Sequence, residues 1–143
     1  SSIQVRRYLN RLSGPLLDRI DLRLTVENPT RAALAQSEPR EASAAMRARV
    51  IKSRQVAKDR FAGLGFTLNS QIPSDQLRSQ FRADKEAMSA LHTLMDKEEI
   101  TARGFHKLLR LSWTIADLKG VTVPTINELE AALNLRSNAE RVA

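Results

Sequence analysis

The chain of 143 residues contains no cysteine, and only 4% of its residues are aromatic. Without cysteine it can form neither a disulfide framework nor a thiolate metal site. Its two histidines, His92 and His106, are not spaced as metal ligands, and we expect no bound metal. No apolar run is long enough to cross a bilayer, and the first residues carry no signal-peptide pattern. We therefore expect a cytoplasmic protein without a membrane partner.

Glycine is also scarce, and the five glycines never cluster. The sequence contains no phosphate-binding loop of the form G-x-x-x-x-G-K-[ST], in which backbone N–H groups surround the phosphates of a nucleotide. We therefore expect that the chain is not an enzyme in isolation, and that it binds no nucleotide cofactor alone.

The residues that are present favour helices. Hydrophobic residues make up 42% of the chain, and alanine and leucine, both good helix formers, are common among them. From Asp84 onward, short connections between three predicted helices favour an antiparallel bundle. The first helix spans residues 84 to about 95, the second spans 101–120, and the third begins at a capping box between Thr125 and Glu128 and ends near residue 135.

A further helix is predicted over residues 41–61, where basic residues are concentrated. Residues 43–62 contain six basic side chains against one acidic side chain, so this segment has a net charge of +5. The pattern places an apolar stripe beside a row of cations; the stripe is Met46, Val50, Ala57 and Phe61, and the row is Arg47, Arg54 and Lys58. The row has two interpretations, a contact with DNA phosphates or a solvated face that packs on a neighbouring subunit.

Near the start of the chain, a turn precedes an alternating segment. Gly14 and Pro15 interrupt the backbone, and apolar and polar residues then alternate from Ile20 to Val26. This alternation predicts a strand, yet the rest of the sequence supplies no sheet for it. We therefore expect residues 1–28 to be the end of a core domain that is poorly ordered on its own.

Two blocks of sequence resemble one known family. Residues 11–21 contain the run Ser-Gly-Pro-Leu-Leu-Asp-Arg-Ile-Asp, and residues 101–120 contain Thr-Ala-Arg-Gly followed by Thr-Ile-Ala-Asp-Leu-Lys-Gly. They are similar to the "SGPLLDRID" and "SARG...R.L..ARTIADL.G" blocks of the magnesium-chelatase-like AAA+ ATPases of the ComM and YifB type. The sequence departs from this pattern at Trp113, where an arginine is usual, and at Asn127, where a histidine is common.

The resemblance implies the fold and the site residues. The fold would be mainly α, an AAA+ C-terminal helical lid over residues 84–143, preceded by a linker and connecting helix over 29–83 and by the last strand of a truncated α/β core over 1–28. Arg19 would be the arginine finger that reaches the nucleotide of the next subunit. Arg103 would be the sensor-2 residue, which contacts ATP phosphates in its own subunit.

The resemblance also implies partners and cofactors. A longer parent protein would be a homo-hexameric ATPase that uses ATP and Mg²⁺ and couples hydrolysis to DNA remodelling, as in branch migration. Two alternatives stay open: a magnesium-chelatase ATPase subunit, and a basic helical adaptor that binds nucleic acid without being an enzyme.

Overall fold

The computed structural model describes residues 3, 7–8, 11–24, 26, 28–31 and 41–137. The predicted mainly α class is confirmed. The helices that position the site are α1 (Gly14–Leu17), α2 (Ser43–Arg60), α3 (Ser74–Arg78), α4 (Lys85–Asp96), α5 (Ala102–Lys119) and α6 (Ile126–Ser137), with a 3₁₀ turn at Asn69–Gln71. No helix in the described part of the chain combines the length and apolar character needed to cross a membrane.

The predicted ends of α4 and α5 are confirmed by their capping contacts. The Asp84 carboxylate accepts a hydrogen bond of 2.8 Å from the Ala87 N–H, and the Thr101 hydroxyl accepts one of 3.0 Å from the Gly104 N–H. These side chains satisfy N–H groups that have no partner within the helix. Gly120 ends α5 in the left-handed conformation, with φ of 76°, which glycine adopts without a steric penalty.

The third helix begins at the predicted Thr125 and Glu128 pair. Glu128 Oε2 accepts hydrogen bonds from the Thr125 N–H at 3.1 Å and from its hydroxyl at 2.6 Å. The Lys119 ammonium lies 2.9 Å from Oε1 of the same carboxylate. The Thr125 hydroxyl, together with Lys119 and the Thr125 N–H, lowers the pKa of Glu128 to about 2 against the effect of burial. The ion pair of Lys119 and Glu128 therefore joins the end of α5 to the start of α6.

Helix α5 is the centre of the bundle. It packs on α2, α3, α4, α6 and the 3₁₀ turn. The core includes a cluster of four aromatic rings from these elements and their connections, Phe61, Phe66, Phe81 and Trp113. The Trp113 side chain is buried, and its indole N–H donates to the Phe81 carbonyl at 2.7 Å. Trp113 therefore lies in the core.

A buried polar network holds α2 against α5. Arg60 forms an ion pair with Asp117 and donates a hydrogen bond of 3.0 Å to the Asn69 side chain. Asn69 in turn donates to Asp117 at 2.8 Å. The Arg60 guanidinium also lies over the ring of Trp113, 4.1 Å from its centroid. Asp117, one of the residues of the second motif block, is therefore a structural anchor.

The apolar stripe of α2 is only half buried. Ala57 and Phe61 lie in the core, whereas Met46 and Val50 are about as exposed as surface residues, at 45% and 44%. The bundle covers only the second half of the predicted stripe, because residues 43–52 contain no buried position. The described part of the chain provides no partner for that half of α2.

The predicted strand at the end of the core segment does not form in its described residues, 20–24 and 26. A strand needs the N–H and C=O groups of a second strand, and no strand is present among the described residues. Ile20, Leu22 and Leu24 consequently stay exposed. The poor order expected for residues 1–28 on their own stays a prediction, and most of the linker before residue 41 lies outside the described residues.

Candidate functional site

The turn that carries Arg19 is built from short-range contacts. Ser13 caps α1 by accepting a weak hydrogen bond of 3.4 Å from the Leu16 N–H, and Pro15 lies in the first turn, where its missing N–H costs nothing. Arg19 follows the end of α1 and is exposed. Its guanidinium donates to the Pro15 carbonyl at 2.7 Å. The Arg19 side chain thus lies on the surface, and within the described residues only its own turn holds it.

Arg103 is the second residue of α5, at the positive end of the helix. About half of its side chain, 51%, is exposed, and its one ion pair in the described part of the chain is a long one, 3.9 Å from Nε to the Asp18 carboxylate. Among the described residues, no core side chain contacts this guanidinium. The Arg103 guanidinium is therefore accessible from solvent at the start of α5.

The structure brings the two predicted arginines to the same end of α5. The Lys107 ammonium, one helical turn after Arg103, donates to the Arg19 carbonyl at 2.6 Å and lies 2.6 Å from the Asp21 carboxylate. Asp18 contacts Arg103 and, at 3.7 Å, the guanidinium of Arg136 on α6. Asp18, which precedes Arg19 in the chain, contacts Arg103, and Lys107 contacts the Arg19 main chain. The guanidinium groups of these two described arginines do not contact each other.

Three residues of this arrangement were missed by sequence reasoning. Asp18 and Lys107 lie inside the two motif blocks, so their position in the blocks was the signal that could have singled them out. Arg136 lies outside both blocks and carries no such signal. Its Nη1 also donates to the Ile20 carbonyl, at 3.4 Å.

A cavity of about 740 Å³ lies between the turn and the bundle. Leu17, Asp18 and Arg23 line it from the turn side, while Leu94, Thr101 and Arg136 are among the residues that line it from the helices. The walls thus mix leucine side chains with charges of both signs. No group of His, Asp or Glu side chains in the described ranges is arranged to hold a metal ion.

The basic row of α2 is exposed on the surface. Arg47, Arg54 and Lys58 are all exposed, and none of them forms a hydrogen bond or an ion pair with another described residue. By contrast, Arg49 forms two hydrogen bonds with Glu41, at 2.5 and 3.0 Å, and Arg60 is bound to Asp117 in the core. The structure therefore separates cations that have a partner from a row that has none among the described residues.

The histidines have structural surroundings. His106 Nε2 lies 3.1 Å from a guanidinium nitrogen of Arg78, and burial together with Arg78 and Arg110 lowers the pKa of His106. His92 packs near the Phe105 ring, with 5.5 Å between the ring centroids. Neither contact is typical of a metal ligand.

A helical bundle with a long preceding helix, whose central helix begins at an exposed arginine, is the architecture of a helical lid domain. Residues 40–136 match the family model for the magnesium chelatase subunit ChlI C-terminal domain, and residues 1–34 match the model for the magnesium chelatase subunit ChlI. The chain belongs to the magnesium chelatase family. The family prediction from the two motif blocks is confirmed.

Several curated proteins are similar over most of this chain. An uncharacterised protein of Mycobacterium tuberculosis is 40% identical over 95% of the chain. The competence protein ComM of Haemophilus influenzae is 36% identical over 82% of it, and the uncharacterised protein YifB of Escherichia coli is 32% identical over 94%. The matched part covers 27%, 22% and 26% of these relatives, so the chain spans about a quarter of their length.

Proposed function

We propose that this chain is the lid and arginine-finger portion of a hexameric AAA+ ATPase that couples ATP hydrolysis to the remodelling of DNA. The observation that carries the proposal is the position of Arg103, half exposed at the start of the central helix and unused by the core. Similarity to a protein named for competence favours DNA as the substrate over a chelatase role. The proposed location is the cytoplasm.

Arg19 is proposed to act on the neighbouring subunit. The guanidinium group stays charged and can engage two phosphate oxygens at once, which suits the charge that spreads over a transferred phosphoryl group. Its one described hydrogen bond, to Pro15, is on the surface, so exchanging it for a phosphate costs little. A finger of this kind supplies a factor on the order of 10³ to 10⁵ in rate.

Arg103 is proposed to bind phosphates of the nucleotide in its own subunit. The N–H groups and the dipole at the start of α5 favour an anion there, and the guanidinium adds a fixed charge. These groups fit one part of an ATP site. The described residues contain no cluster of His, Asp or Glu side chains arranged to hold a metal ion. In this proposal the rest of a longer protein holds Mg²⁺ and most of the nucleotide.

The row of Arg47, Arg54 and Lys58 is proposed to contact DNA phosphates. Its cations are exposed and unpaired within the described residues, which leaves all three available to replace the counterions of a duplex. No aromatic residue lies between them in the sequence, so the contact would be to the backbone without stacking on bases.

The arginine roles are tested in the intact ATPase by Arg19→Ala and Arg103→Ala. Arg19→Ala should leave nucleotide affinity in place while hydrolysis falls by orders of magnitude, and mixing it with a subunit that lacks its phosphate loop should restore part of the activity. Arg103→Ala should weaken nucleotide binding without lowering the melting temperature. Arg11→Ala and Arg82→Ala, two exposed arginines, are the controls. Equal losses of affinity and turnover in Arg19→Ala would make that residue structural.

The DNA role is tested by replacing Arg47, Arg54 and Lys58 together with glutamine. Affinity should fall similarly for every DNA sequence, and the slope of log affinity against log salt should flatten by roughly 0.9 for each lost duplex contact. The control replaces three exposed cations away from α2, Arg82, Lys85 and Lys97, with the same change of charge. An unchanged slope with defective assembly of subunits would place the row at a subunit boundary and exclude the DNA contact.

A further inference from the structure

The carboxylate of Asp18 lies where the 13–19 turn meets the helical bundle. Its Oδ1 accepts a hydrogen bond of 3.3 Å from the Thr101 hydroxyl, the same hydroxyl that caps α5. Its two oxygens also lie 3.9 Å from Arg103 and 3.7 Å from Arg136. About a quarter of the Asp18 side chain, 26%, is exposed. One side chain of the turn therefore contacts the ends of two helices.

These contacts fix the backbone of the next residue, Arg19. On the other side of it, Lys107 holds the Arg19 carbonyl and the Asp21 carboxylate. The backbone N–H of Arg23 donates to the Leu135 carbonyl at 2.8 Å, which ties the following residues to α6. The main chain of Arg19 is thus bound to α5 from both sides, while its guanidinium points away to Pro15.

We propose that Asp18 is a positioning residue that docks the turn bearing Arg19 onto α5, and that it competes with nucleotide phosphates for Arg103. This inference rests on the proposed roles of Arg19 and Arg103. It adds a physical link between them: the residue that would sense nucleotide in one subunit also holds the turn that would act on the next subunit.

The geometry sets the direction of the competition. The ion pair between Asp18 and Arg103 is long, and half of the Arg103 side chain is exposed. An ion pair of this type changes the equilibrium constant for binding of a competing anion by up to about five-fold. A phosphate group carries more charge than one carboxylate and displaces it from the guanidinium. The turn then loses one of its anchors and keeps those to Thr101 and Arg136. Because coupling is reciprocal, a docked turn weakens nucleotide binding by the same factor.

Docking of the turn can be measured on the 143-residue chain, because it has no native cysteine. Spin labels at Arg11→Cys, two residues before the 13–19 turn, and at Glu130→Cys on α6 report the distance between the segment that carries the turn and α6; both positions are exposed. The contacts of residues 18–23 with α5 and α6 argue against the poor order that the sequence predicts for residues 1–28. We therefore expect a narrow distribution of distances in the wild type and a broad one in Asp18→Asn. Asp18→Glu should recover much of the narrow distribution, because it restores the charge. Asp96→Asn makes the same charge change at an exposed position without a described ion pair and should have no effect.

Circular dichroism of each variant verifies that the bundle is folded. An unchanged distribution in a folded Asp18→Asn variant overturns the positioning role. A distribution that is equally broad in Asp18→Asn and Asp96→Asn overturns it as well, since the effect would then follow net charge.

The competition is measured in the intact ATPase with a non-hydrolysable ATP analogue. We expect Asp18→Asn to lower kcat several-fold while it lowers the Kd for the analogue by up to about five-fold. A residue that only stabilised the fold would raise Kd and lower kcat together, so that outcome overturns the competition. Normal hydrolysis by both Arg19→Ala and Arg103→Ala would instead refute the proposed function, and the spin-label result on Asp18 would still stand.

Discussion

The buried carboxylate of Asp117 provides a direct test of how α2 is held against the bundle. Its side chain is fully buried, and that of its partner Arg60 is only 15% exposed. The carboxylate accepts hydrogen bonds from Arg60 and from Asn69, and the charge of Arg60 has no other acidic partner among the described residues. Asp117→Ala would therefore leave a largely buried cation without compensation.

The expected cost follows from this burial. Removing one partner of a buried ion pair costs about 3–5 kcal/mol, since the remaining charge stays desolvated. A small domain has a total stability of about 5–15 kcal/mol, so Asp117→Ala should remove a large fraction of it. For a chain of this size the melting temperature should fall by about ten degrees or more.

The assay is urea unfolding followed by circular dichroism and by the fluorescence of Trp113, the only tryptophan, whose ring lies under Arg60. The control is the double variant Arg60→Met with Asp117→Leu, which removes both charges and fills their volume. It should recover most of the loss, because apolar residues of similar size replace buried pairs at little cost. A loss below about 1 kcal/mol in Asp117→Ala, or a double variant no more stable than the single one, would refute this reasoning.

Two further predictions concern helix ends. The Thr125 hydroxyl contact lowers the pKa of Glu128 to about 2, below its ordinary 4.5, so its stabilisation is complete above about pH 5 and is lost as the pH falls towards 2. This stabilisation amounts to about 3 kcal/mol. In urea unfolding, the free energy of unfolding should therefore fall less between about pH 5 and pH 2 in Glu128→Gln than in the wild type. An equal fall in both proteins would contradict this. Gly120→Ala should cost about 1 kcal/mol of stability from its positive φ alone, since open space surrounds the position. The control is Gly14→Ala, at a position without positive φ, which should cost less in thermal unfolding. Equal costs would exclude backbone strain at Gly120.

The sequence by itself determined the helices and their ends. The predicted helix ends at Asp84, Thr101 and Gly120 are confirmed, because a helix end depends on residues within one helical turn. The pairing of Thr125 with Glu128 was predictable for the same reason. The family was also readable from two blocks of sequence.

The roles of Arg19 and Arg103 stay predictions, since the described contacts show where these side chains lie and not what they bind. Arg103 is half exposed at the start of α5, and Arg19 is exposed beside its own turn. Their assignment came from resemblance, and the Arg19→Ala and Arg103→Ala variants test it.

The tertiary structure alone decided which side chains meet across long separations. Arg60 joins Asp117 across 57 positions, and Thr101 meets Asp18 across 83, distances at which no periodic pattern carries information. It also decided that Met46 and Val50 stay exposed, because the bundle covers only the second half of α2. Periodicity indicates which residues of a helix share a face. Whether that face is covered depends on where the other helices pack. Residues 20–24 and 26, the described end of the core segment, form no strand because a strand requires a second chain segment to bond with.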